Sequence, residues 1–181
     1  MAKREAIKTT LNSIVEYWGS RVDECDLSVD WAEADSHCWR CGCEKNLERC
    51  HIIPHSLQGK DEPSNYVLLC KRCHLENPNV ADKEIMWDWL KAYKTSFYET
   101  FWLIQGLEEY KRIYGKSVVE ELKKLGIKDR NKVLSSFKAT HNMASFHFGQ
   151  PYFNSATVAG LLRMMIKELE AETETIEKCN A

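Results

Sequence analysis

Two Cys-x-x-Cys pairs, Cys38-Trp-Arg-Cys41 and Cys70-Lys-Arg-Cys73, constrain this chain more than any other feature. Their C-x2-C-x28-C-x2-C spacing offers four thiolates from two tight turns, the donor set of a tetrahedral zinc site with Zn–S bonds of about 2.3 Å. Such a site has no open position for water, so its binding energy goes into folding and its role is structural. Gly42 suits the turn after the first pair. The 28-residue spacer is longer than a simple zinc ribbon needs and has room for a hairpin, a loop and a return strand. His37 and Cys43 flank the first pair and could each replace a ligand, but the regular spacing favours the four named cysteines. Cys25 and Cys179 have no visible partner.

Eight cysteines could also signal a disulfide framework, but four of them sit in the two pairs and the first residues lack the apolar run of an export signal. Metal thiolates and a cytoplasmic address are therefore expected. No apolar stretch approaches membrane-spanning length. The net charge of −2 does not mark the chain as a polyanion binder, yet charge is unevenly spread. Residues 111–138 hold nine basic side chains against three acidic ones, a stretch that fits a nucleic-acid backbone about as well as it fits a solvated helix face.

Helical periodicity marks residues 5–18, and Ser28 is expected to cap a short helix over 29–35. β-Rich runs follow at Cys50-His-Ile-Ile and Tyr66-Val-Leu-Leu, separated by a polar loop from Ser56 to Asn65. Beyond Pro78 the pattern is helical in stretches over 85–93, from 97 to near Gly115, 117–125, 129–144 and 155–170. The aromatic stripe over 85–102 suits packing against the cysteine-rich segment better than base stacking. The apolar run 155–170 suits either a core helix or a subunit contact.

Cys38-x-x-Cys41-Gly42, Cys50-His51-Ile52-Ile53-Pro54, Gly59, Asn65 and Leu69-Cys70-x-x-Cys73-His74 together resemble the HNH endonucleases. The resemblance covers residues 38 to about 80 and implies an α+β chain, with a small zinc-stapled ββα-metal core embedded in a mostly α-helical chain. It divides the chain into an N-terminal helical segment (1–36), the nuclease module (37–80), a helical region for DNA contact or dimerisation (81–170) and an acidic, disordered tail (171–181).

Carried over position by position, the resemblance makes His51 the general base, Asn65 the brace of the loop holding it, and His74 a ligand of a catalytic divalent metal. The chemistry is coherent on the residues alone. Phosphodiester hydrolysis needs a base near neutral pKa and positive charge where the leaving oxygen becomes negative. Lys71, Arg72 and, more weakly, Lys60 are candidate phosphate contacts.

One departure concerns the residue before the base, usually Asp or His in the family and here Cys50. A thiolate suits zinc or softer ions better than magnesium, and strand alternation points Cys50 away from the face bearing His51. Three arrangements stay open: Cys50 ligates the metal, another side chain such as His55 takes its place, or His74 holds the ion with waters alone. The expected function is a metal-dependent DNA endonuclease in restriction or phage defence. It would use structural Zn²⁺ and a catalytic Mg²⁺, Mn²⁺ or other divalent ion, act as a homodimer and have no membrane association. The rival is a zinc-stabilised nucleic-acid-binding or protein-interaction module that cuts nothing.

Overall fold

A computed structural model describes residues 6–179, which divide into two compact units meeting between Phe101 and Trp102. The sequence-based boundary at residue 80 falls inside the first unit, because the helix after the cysteine-rich segment packs back onto it. The start of the first expected helix at residue 5 lies outside the described residues.

The first unit is built on a two-stranded antiparallel sheet, β1 (Leu47–His51) and β2 (Tyr66–Cys70), in the register Leu47↔Cys70, Arg49↔Leu68, Cys50↔Val67 and His51↔Tyr66. Every residue of β2 is buried, which is why it reads as an unbroken apolar run rather than an alternating one. Helix α2 (Lys71–Glu76) follows β2 without a loop, giving a ββα unit.

Helix α1 (Leu11–Gly19) lies against β2, where the Trp18 indole donates to the Tyr66 carbonyl at 2.8 Å. A capping box between Thr10 and Ser13 starts α1, later than the sequence pattern suggested. Just before it, Asp61 accepts from the Lys8 and Thr9 amides, and Arg49 donates to the Thr9 carbonyl at 2.8 Å. These bonds stitch the chain's approach to the hairpin.

Ser28 does not cap a helix. Residues Trp31–Glu33 form a 3₁₀ turn behind Asp30, and the buried Ser28 hydroxyl instead donates to the Arg40 carbonyl and accepts from the Thr95 amide. A tertiary partner on each side outcompetes the local cap.

Part of the aromatic stripe packs against the cysteine-rich segment, as expected, with Phe101 buried, Trp89 half-buried and Phe97 exposed. Helix α3 (Lys83–Ala92) brings Trp89 over the Arg40 guanidinium at 4.3 Å, with the Tyr93 and Phe101 rings at 4.6 and 5.0 Å. Arg40 lies between the first two cysteines, is 4 % exposed and pairs with Glu76 of α2. A buried guanidinium is costly unless paired, and the carboxylate and three π faces together offset that cost.

The second unit comprises most of α4 (Phe101–Tyr114), then α5 (Val118–Lys124), α6 (Arg130–His141) and α7 (Ser155–Cys179). Its core is Tyr110, Val118, Val158, Ala159, Leu162, Met165, Ile166 and Leu169. The run 155–170 is thus a core helix, and the homodimer expectation loses that support. Buried Glu121 is satisfied by the Tyr110 hydroxyl, Lys116 and Arg163. The stretch from 171, expected to be irregular, continues α7 to Cys179, and 180–181 lie outside the described residues. Helix continuity wins there because Leu169 and the turns before it are anchored in the core.

Candidate active site

The two cysteine pairs converge. The sulfurs of Cys38, Cys41, Cys70 and Cys73 all lie within 4.8 Å of one another, and all four residues are buried. Cys41 and Cys70 Sγ are 3.9 Å apart, close to the edge of about 3.8 Å that a tetrahedron with Zn–S bonds of about 2.3 Å requires. The first knuckle closes through the Gly42 amide donating to the Cys38 carbonyl and the Cys38 amide to the Cys43 carbonyl. Gly42 has φ +61°, and a Cβ there would sit 2.7 Å from the Ser28 carbonyl, so the turn is tied to glycine twice over.

Burial holds the Cys38 thiol well above its ordinary range, while hydrogen bonds from the other three cysteines hold Cys70 well below. Four sulfurs this close carry more than one negative charge only around a cation. The donor set and spacing therefore fit structural zinc. Cys43, offered as an alternative ligand, stands outside the group, with Sγ 3.6 Å from the Cys41 carbonyl.

The two knuckles clasp the open end of the hairpin, where Leu47 pairs with Cys70, and a cleft of about 380 Å³ opens beside the His51 end of β1. His51, at the end of β1, and His74, in α2, both line this cleft, together with Pro54, His55, Ser56, Asn77 and Asn79. Two histidines 23 positions apart in the chain thus face one space, the arrangement a base and a metal ligand need.

Each histidine is held by a partner that sequence reasoning missed. His74 Nδ1 donates to the Glu48 carboxylate at 2.7 Å, which directs the ring's lone pair to Nε2. His51 Nε2 lies 3.0 Å from the Tyr66 hydroxyl, which donates to Asp61 at 3.1 Å. The Lys8 amide, chief among several donors, holds the Asp61 carboxyl down at about 2.

Asn65 closes the loop after the base. Its Oδ1 accepts from the Ile53 amide at 2.9 Å, and its Nδ2 donates to the Ile53 and Lys60 carbonyls, each at 3.0 Å. Gly59 is required beside it, because a Cβ there would lie 1.8 Å from the Ile53 carbonyl oxygen and 2.8 Å from Asn65 Nδ2.

Cys50 lies on the sheet face opposite His51, as alternation requires, and is fully buried beside Val67. Burial raises its thiol to about 12, and it does not line the cleft, whereas His55 does. Lys71 and Arg72 open α2 and Lys60 follows Gly59; none of the three lines the cleft.

The stretch from the first zinc cysteine to the far wall of the cleft is also what known proteins share. Residues 38–79 match the HNH endonuclease family model. No curated protein and no solved structure matches the chain. The HNH segment thus contains both zinc knuckles, the paired histidines and Asn65, while the second unit lies outside it. No described helix is long and apolar enough to cross a membrane.

Proposed function

We propose that this protein is a metal-dependent HNH-type DNA endonuclease. The observation that carries the reading is the convergence of His51 and His74 on one cleft beside a four-cysteine site, within the stretch that matches the family. His51 takes the proton from a water that attacks the scissile phosphorus, a step general-base catalysis accelerates by about 10²–10⁴-fold. A divalent cation, when bound, supplies positive charge at the departing 3′ oxygen.

His74 is the residue to hold that cation, through Nε2, with its ring set by Glu48. His55 and the Asn77 and Asn79 amides border the same cleft and are better placed as further ligands than Cys50, which is buried outside it. Asn65 acts on the chemistry indirectly, by fixing the Ile53–Lys60 loop. Lys71 and Arg72, in the first turn of α2, and Lys60 lie outside the cleft lining and are the candidates for phosphates flanking the cut.

The basic stretch of the second unit is a weaker DNA-tracking candidate, since Arg112, Lys116 and Lys132 already pair with Glu109, Glu121 and Glu172. Restriction or phage defence is the setting we propose, and a plating assay of phage on cells with and without the gene tests it.

The decisive experiment incubates the zinc-loaded protein with supercoiled plasmid across Mg²⁺, Mn²⁺, Ni²⁺ and Zn²⁺, beside His51→Ala and His74→Ala. The expected result is nicked or linear product with 5′-phosphate ends from the wild type alone. An intact plasmid in every lane, with DNA still retained in a gel-shift, would replace this reading by that of a binding module.

A further inference from the structure

We propose that Asp61 and Tyr66 form a relay that fixes the tautomer of His51, with the proton on Nε2 and the lone pair on Nδ1. The proposal rests on the nuclease reading for its catalytic consequence, but its structural content stands separately.

The argument is a count of hydrogens. Tyr66 is fully buried at the first position of β2, directly across the ladder from His51, so the strand register sets the 3.0 Å approach of its hydroxyl to Nε2. A phenol has one hydrogen to give. The Asp61 carboxylate takes it, because Asp61 is ionised at neutral pH and can only accept. The Tyr66 oxygen then faces Nε2 as an acceptor, and the contact is satisfied only if Nε2 carries a hydrogen. With Nε2 protonated, a neutral imidazole has its lone pair on Nδ1.

Asp61 is itself anchored by the Lys8 and Thr9 amides, so the relay starts from backbone rather than from a mobile side chain. As His51 becomes an imidazolium during the reaction, the Nε2–H donates into a chain that ends in a fixed negative charge. Asp61 and Tyr66 are therefore positioning residues: they touch the base, not the substrate.

Two substitutions separate this from a packing role. Tyr66→Phe keeps the ring and removes the acceptor. Asp61→Ala leaves the phenol hydrogen without its carboxylate and lets Tyr66 donate to Nε2, which drives the proton to Nδ1. The measurement is the ring ¹⁵N spectrum of His51 in full-length, zinc-loaded protein labelled in histidine, assigned against His51→Ala at a pH where the ring is neutral.

The wild type should show a protonated Nε2 and an unprotonated Nδ1. Tyr66→Phe should move both signals toward averaged values, and Asp61→Ala should move the proton to Nδ1. In plasmid cleavage both variants should lose kcat by roughly 10- to 1,000-fold with KM unchanged, a part of the roughly 10²–10⁴-fold a general base contributes. A wild-type ring protonated on Nδ1, or ring signals unmoved in both variants, overturns the relay. If the wild type cuts no DNA, the nuclease reading falls while the spectra still decide the relay.

Discussion

Replacing Asn65 with alanine isolates the loop that follows the base. The substitution removes three hydrogen bonds at once, from the Ile53 amide to Oδ1 and from Nδ2 to the Ile53 and Lys60 carbonyls. At about 1 kcal/mol net each, the loss is about 3 kcal/mol. Asn65 is only 7 % exposed, so water replaces these partners poorly and the estimate is not an upper limit.

Asn65→Asp sharpens the test. It keeps an acceptor for the Ile53 amide but sets a carboxylate oxygen against two carbonyl oxygens, so it should cost at least as much as alanine despite its similar shape. Amide exchange of the zinc-loaded protein reads this locally: Ile53 should exchange about 150-fold faster in both variants, since about 1.4 kcal/mol is tenfold. Urea unfolding at fixed free zinc gives the global loss. An Asn65→Asp protein with wild-type Ile53 protection would falsify the bracing role.

Three other outcomes follow from the same geometry. Removing zinc with a chelator should unfold the first unit, because structural zinc contributes roughly 10–16 kcal/mol to such small modules, while helical circular dichroism from the second unit persists; a native-like first unit free of metal would refute the structural assignment. Acid should act through the thiolates rather than through Asp61. The lowered Asp61 carboxyl contributes stability that is fully present above its unfolded value of 3.8 and is lost as pH falls from there through about 2. Zinc release and loss of tryptophan fluorescence should therefore share one midpoint above that range, and fluorescence that survives zinc release until Asp61 titrates would contradict this. Glu48→Ala should weaken the catalytic ion about 10- to 100-fold by releasing the His74 ring, with Glu48→Gln partly restoring it; equal Mn²⁺ dependence of cleavage in all three proteins would show that the 2.7 Å contact does not orient the ligand.

Much of this protein was written in local pattern. The cysteine spacing gave the metal site, the run from Tyr66 gave β2, and helical periodicity gave α3 to α6 and the start of α7 to within a few residues, because each of these signals lies within one turn or one strand. The first strand, by contrast, is Leu47–His51, three residues ahead of the run at Cys50-His-Ile-Ile. The same locality misled at Ser28, where a plausible cap proved to be a buried bridge between Arg40 and Thr95. It also misled at 171–179, where composition suggested disorder but a helix anchored in the core runs on.

The partners of the two histidines were decided by tertiary structure alone. Glu48 reaches His74 across 26 positions of chain, and Tyr66 reaches His51 across 15. Which side chains meet across that gap depends on the strand register. A loop of this length leaves the register undetermined, and a shift of one residue turns every side chain to the other face. The zinc knuckles and the Asn65 brace pin that register. Residue types named the chemistry, and folding chose which groups hold its rings in place.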